Sequence, residues 1–185
     1  LDNNNENIFN NFTNKGSECL LNAVSGCLNF MKDSTLIFAP NHNSYDRFST
    51  GAHAPTAINW GYENRTTAIR IPGGPDIAKR IEHRVAGGDA NPYLVLASIL
   101  GAAINGMESK MEPEEPISGD GYTSGGVSII KDWKKSIECF SNSQQIKKIF
   151  DPLLIRSFVD CKKQELDYFK DKSYNHIIQT TINAI

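Results

Sequence analysis

Apolar residues recur at helical spacing over residues 17–31, where Leu20, Leu21, Val24, Cys27, Leu28 and Met31 fall on one side of a helix of about 3.6 residues per turn. Ser17 stands where an N-cap belongs. A short apolar run follows at 35–39, then a loop-rich stretch at 40–56, dense in Asn, Ser, Gly and Pro. Residues 57–60 and 65–71 read as strands joined through Gly61-Tyr62-Glu63-Asn64. Pro72-Gly73-Gly74-Pro75 interrupts the chain as a turn, and 79–85 reads as a further strand. Asn91 and Pro92 mark the start of a long helix to about Ser109.

A Glu-, Pro- and Gly-rich loop spans 112–126. The remaining pattern predicts helices over 127–140, 143–149, 152–171 and 174–183, with Ser143 and Asp151 as caps and Pro152 at a first helical position. Strands in the middle and helices on both sides imply an α+β fold, with no internal repeat.

Composition narrows the class. The chain has 185 residues, 39% apolar and 22% charged, which is ordinary globular usage and unlike collagen, a disulfide scaffold or a disordered chain. Lys plus Arg is 19 and Asp plus Glu is 21, a formal net charge of −2. Such a balance does not point to nucleic acid or an anionic membrane as partner. The longest apolar stretch, Tyr93 to Ile104, falls well short of the roughly 20 residues a membrane-spanning helix needs. The four cysteines (Cys19, Cys27, Cys139, Cys161) form no CxxC pair. Each sits in a helical pattern and reads as a small buried hydrophobe, so a reduced, cytoplasmic protein is expected. The chain opens on Leu1 and an Asn-rich run, Asn3 to Asn14, expected to be loop or disordered, in what reads as a piece of a longer protein.

Candidate chemistry concentrates between Asn43 and Asn91. Arg47, Arg65, Arg70, Arg80 and Arg84 lie within 38 positions, while only Arg156 lies elsewhere. On a strand, Arg80, Glu82 and Arg84 share one face, and Ile81, His83 and Val85 the other. A carboxylate between two guanidiniums stays ionised and suits a hard cation, leaving the arginines for anionic oxygens. An exposed charge ladder is the plainer alternative. Arginine in place of lysine favours planar contact with carboxylate or phosphate, and so many cations with few local carboxylates call for an anion such as a nucleotide triphosphate with magnesium. Arg65 and Arg70 are an odd number of residues apart, so they converge only through a bulge or with Arg65 in the loop before the strand.

Other motifs carry less. Gly119-Asp120-Gly121 and Gly125-Gly126 are followed by no GK[ST] and form no phosphate loop. Pro72 to Pro75 reads as a plain turn and His83 as a packed histidine. The four histidines show no zinc spacing, and nucleophilic catalysis has no support.

These residues resemble the glutamine synthetase family. The resemblance rests on Asn43-Ser44-Tyr45-Asp46-Arg47, Trp60-Gly61-Tyr62-Glu63-Asn64-Arg65, Ile69-Arg70-Ile71-Pro72, Arg80-Ile81-Glu82-His83-Arg84 and Ala90-Asn91-Pro92-Tyr93-Leu94, in that order. It covers nearly the whole chain and is closest in form, through the run from Arg80 to Ala97, to the branch containing gamma-glutamylpolyamine synthetases. The resemblance implies the C-terminal part of a glutamine synthetase-type catalytic domain over 1–185, with antiparallel strands flanked by helices. It also implies that the N-terminal β-grasp domain and the first part of the catalytic domain lie outside this stretch.

The implied reaction is ATP-dependent. Glutamate or an analogue is phosphorylated on its side-chain carboxylate, and ammonia or an organic amine displaces phosphate, with Mg2+ or Mn2+ as cofactor. By the same resemblance Glu82 is a metal ligand, and Arg47 and Arg84 hold the acid substrate. Arg65 and Arg70 surround the transferred phosphoryl group and the nucleotide phosphates, with Arg65 in the catalytic role, and Arg80 is a further nucleotide-side arginine. His53 stands where ammonia-using members carry a Glu that helps deprotonate ammonium, which favours an organic amine. The family's sites lie between subunits of a homo-oligomeric ring, and Glu82 alone cannot make a two-metal site. The 185-residue stretch by itself is therefore expected to be inactive. Ammonia-dependent glutamine synthesis and a non-catalytic scaffold of the same family are the alternatives.

Overall fold

A computed structural model describes residues 2, 6–12, 15–49, 51–124 and 126–184. The rest of the Asn-rich run (Asn3, Asn4, Asn5, Thr13, Asn14) and Gly125 lie outside the described residues. Residues 6–12 are irregular, as the composition suggests.

Two long helices form the apolar centre. α1 (Glu18–Met31) begins where Ser17 accepts from the Leu20 N–H at 3.1 Å. α3 (Pro92–Glu108) begins where Asn91 accepts from the Tyr93 and Leu94 N–H groups. They cross at glycines. A Cβ on Gly106 would stand 2.7 Å from the Gly26 Cα, and one on Gly26 would stand 2.9 Å from the Gly106 Cα. Only glycine allows that approach. Leu20, Val24, Cys27, Phe30 and Met31 fill the core beside this crossing. The outer face of α3 leaves Tyr93, Leu96, Leu100 and Ile104 exposed.

The apolar run after α1 is one helical turn, α2 (Thr35–Phe38), and a 3-10 segment covers His42–Arg47. The strands are shorter than the sequence pattern implies. β1 (Ala57–Ile58) and β2 (Trp60–Tyr62) replace the single strand at 57–60. β3 (Ile69–Ile71) and β4 (Glu82–His83) occupy parts of the 65–71 and 79–85 runs. β2, β3 and β4 form one sheet. β3 and β4 are antiparallel, with Arg70 opposite Glu82, whereas β2 and β3 run parallel, with Gly61 opposite Arg70. A parallel pair ordinarily needs a long crossover. Here the strands are so short that 63–68 can turn back, fixed by the Thr66 N–H and the Thr67 hydroxyl donating to Asn64.

The expected helix over 127–140 is corrected. Val127–Ser128 is a strand, β5, paired antiparallel with β1, and the helix α4 (Trp133–Asn142) starts later, capped by Asp132. The β1 backbone needs a partner and takes it from 127–128, a pairing no local periodicity reveals. Ser143 accepts from the Gln145 and Ile146 N–H groups, and only a 3-10 turn over Ile146–Lys148 follows. α5 (Pro152–Phe169) and α6 (Tyr174–Ala184) complete the α+β arrangement.

The cysteine reading holds in part. Cys27 is buried and Cys19 and Cys139 are half-buried, but Cys161 is exposed on the outer side of α5. No helix among the described residues is long and apolar enough to cross a membrane.

Candidate functional site

The centre of the site is an ion-pair network laid across β3 and β4. Their register puts Arg70 opposite Glu82. Arg70 Nη1 lies 3.3 Å from Glu82 Oε2, and Arg84 Nε lies 3.2 Å from Glu82 Oε1, so one carboxylate sits between two guanidiniums. The Arg70 and Arg84 side chains are mostly buried, at 14% and 17% exposed, while Glu82 keeps 37%. Arg84 also donates through Nη1 to the Thr67 carbonyl at 3.1 Å and to the Arg65 carbonyl. These bonds pin the Arg84 head against the turn that precedes β3.

Arg65 lies in that turn and not in the strand, which resolves the odd spacing between Arg65 and Arg70. Its side chain is exposed, and its charge reaches the carboxylate of Glu63. Glu63 is a residue that reasoning from the sequence passed over as part of a connection. It has a left-handed backbone, φ +51°, and its carboxylate accepts from the Gly73 N–H and meets Arg70 Nη2 at 3.4 Å. The Gly73 amide and the neighbouring guanidinium hold the Glu63 carboxyl below its ordinary range. The Gly73 N–H is taken by Glu63, and the Pro72–Pro75 segment is irregular with a bend at Gly74. A signal was present: an acidic residue next to a turn within a run of arginines.

Arg47 reaches the same region from another side. It ends the His42–Arg47 segment, donates to the Val85 carbonyl, and lies 4.6 Å from the centre of the Phe48 ring. The segment is fixed by Asp89, which accepts from Asn41 Nδ2 at 3.0 Å and from the Ser44 hydroxyl. Burial pulls the Arg47 pKa down, and the Asp89 charge opposes that shift. Nε of Arg47 and Nε of Arg70 are sealed from solvent without an acceptor. Planar guanidiniums of this kind suit an anionic ligand through their Nη groups.

Two candidates stand apart. Arg80 precedes β4, is exposed, and donates to the Ala78 carbonyl at 3.2 Å, and among the described residues it makes no ion pair with Glu82. His53 lies in an exposed loop with φ +59°, and among the described residues its side chain has no hydrogen bond, ion pair or ring contact. His83 is packed as expected. Its ring lies 4.6 Å from that of Phe38, Nδ1 has no partner, and burial lowers its pKa to about 4.

A divalent cation fits only in part. Glu82 can offer one carboxylate, but no group of three or more His, Cys, Asp or Glu among the described residues could hold an ion. A polyphosphate or a carboxylate fits the arginines directly.

The family described as "Glutamine synthetase, catalytic domain" matches residues 1–180. The gamma-glutamylethanolamide synthetase of Streptomyces coelicolor is 35% identical over 153 residues, 83% of this chain and 33% of that protein. The gamma-glutamylputrescine synthetase of Escherichia coli is 33% identical over 165 residues, 89% of this chain and 35% of that protein. The chain thus spans about a third of the length of these curated relatives. The solved structure titled "GmaS/ADP complex" superposes with a TM-score of 0.80 at 24% identity, covering 96% of this chain and 43% of that one, which is a likeness of fold.

Proposed function

The chain belongs to the glutamine synthetase catalytic-domain family, and on that premise we propose that its arginine-lined strands serve an ATP-dependent carboxylate–amine ligase that prefers an organic amine. The observation that carries this reading is the Glu82 carboxylate between Arg70 and Arg84. Glutamate or an analogue is the acid. Arg47 and Arg84 hold its carboxylate, and Arg65 and Arg70 hold phosphate oxygens as charge moves from the nucleotide to the acid. A preset guanidinium pays little reorganisation when that charge develops. Glu82 supplies one ligand to Mg2+ or Mn2+, with further ligands from outside the described residues. The metal, when bound, neutralises phosphate charge.

Arg80 is a further nucleotide-side arginine. The organic-amine preference rests on His53, which offers a cation less attraction than a carboxylate would, and on the printed names of the two amine-using relatives. A ring of subunits and a cytoplasmic setting belong to the same reading.

The test is glutamate-dependent ADP release by the native protein that carries this sequence, with magnesium, comparing ammonium with mono- and polyamines. Turnover with an organic amine and little with ammonium is expected. A preference for ammonium overturns the amine assignment and returns the reading to glutamine synthesis. A folded protein with no turnover on any acceptor is a scaffold.

A further inference from the structure

Arg70 touches two carboxylates, and they differ in exposure. Glu82 faces it across the sheet at 3.3 Å and is 37% exposed, while Glu63 Oε2 and Oε1 stand 3.4 and 3.5 Å from its Nη2 on a more open side. Glu63 itself is firmly placed. Its N–H donates to the Ile71 carbonyl at 3.0 Å, its carboxylate accepts from the Gly73 N–H, and the next residue, Asn64, is bonded to the Ile117 and Gly119 carbonyls. The Glu63 side chain is 60% exposed. It can therefore release Arg70 without being left unsatisfied, since the Gly73 amide and solvent remain. Arg70 cannot be left alone as cheaply, because its side chain is 14% exposed and its Nε already lacks an acceptor.

We propose that Glu63 is a positioning residue, a displaceable counter-ion that occupies Arg70 while the site is empty and yields it to a phosphate oxygen when a polyphosphate binds. The inference rests on the ligase reading, in which Arg70 meets nucleotide phosphate. It gives that reading a consequence of unusual sign. A carboxylate that competes with phosphate weakens polyphosphate binding, so removing its charge strengthens binding. A residue that only braces the Gly73 turn has no such effect when an acceptor oxygen is kept.

Glu63→Gln keeps that oxygen and removes the charge. Inorganic tripolyphosphate, titrated calorimetrically into the native protein with magnesium, is expected to bind about twofold to fivefold more tightly in Glu63→Gln, the size of an exposed ion-pair contribution. The gain is expected to vanish when the two proteins are compared in an Arg70→Gln background, because the competition runs through that guanidinium. Equal or weaker binding in Glu63→Gln overturns the inference and leaves the ligase reading standing. A gain that survives in the Arg70→Gln background also overturns it, as an effect of net charge alone. Absence of tripolyphosphate binding in both Glu63→Gln and the unsubstituted protein overturns the ligase reading together with the inference.

Discussion

Where α1 crosses α3, Gly26 and Gly106 bring two backbones together, and Leu20, Val24, Cys27 and Phe30 close the core beside them without ionised groups. The β2–β3–β4 sheet region, by contrast, holds Arg70 and Arg84 mostly buried, balanced by Glu82 and Glu63. The helix pair is held by apolar packing around its glycines. The sheet is arranged around charged groups that balance one another. Packing of the first kind supports the fold, and charge of the second kind can be turned toward a ligand.

The contrast predicts opposite failures. Glu82→Ala in the native protein should lower kcat/KM by about 10^3-fold, through lost metal and phosphate stabilisation. Its thermal midpoint should move less than that of the helix variant below. Unchanged turnover would place the chemistry elsewhere.

Gly106→Ala should do the reverse. The added Cβ meets backbone of α1, which cannot yield, so about 2–3 kcal/mol of stability is lost despite a helix-propensity gain of about 1 kcal/mol. The folded fraction should retain turnover. Denaturant unfolding reads the loss, and an unchanged midpoint would mean the crossing is looser than the structure has it.

The helix core also carries a pH signature. Burial pushes the Cys27 thiol up from 9.0 to about 12. The unfolded chain releases this proton first, so the native state binds more protons between these values and stability falls as pH rises through that window. At about pH 10.5 the expected loss is about 2 kcal/mol relative to pH 8. In Cys27→Ala this part of the slope disappears. An identical alkaline slope in both proteins would contradict the burial.

The smallest effect tests how the two regions are joined. Tyr174 at the start of α6 donates to Asp46 Oδ2 at 2.6 Å, beside Arg47. Tyr174→Phe should leave global stability nearly unchanged and quicken amide exchange over residues 42–48. If exchange quickens only within α6, that helix does not support the Arg47 segment.

The site was legible unevenly. Arginine density and the Glu82 neighbourhood marked the right stretch, because side-chain chemistry is written in residue identity. Glu63 escaped notice because its role depends on a left-handed backbone and on Gly73 approaching from ten positions away. The alternation that links Glu82 with Arg84 holds past the two-residue β4, where Arg84 pairs with Glu82, while Arg80 bonds to the Ala78 carbonyl.

Local signals determined the helices. Ser17, Asn91 and Asp151 cap α1, α3 and α5 where the sequence places them, because a cap bonds to amides only two or three residues away. The tertiary structure alone decided that Val127–Ser128 pairs with β1, that β2 and β3 run parallel, and that Arg70 lies between Glu63 and Glu82. Those outcomes depend on backbone groups and charges finding partners far along the chain, and the residues between them do not encode which partner comes within reach.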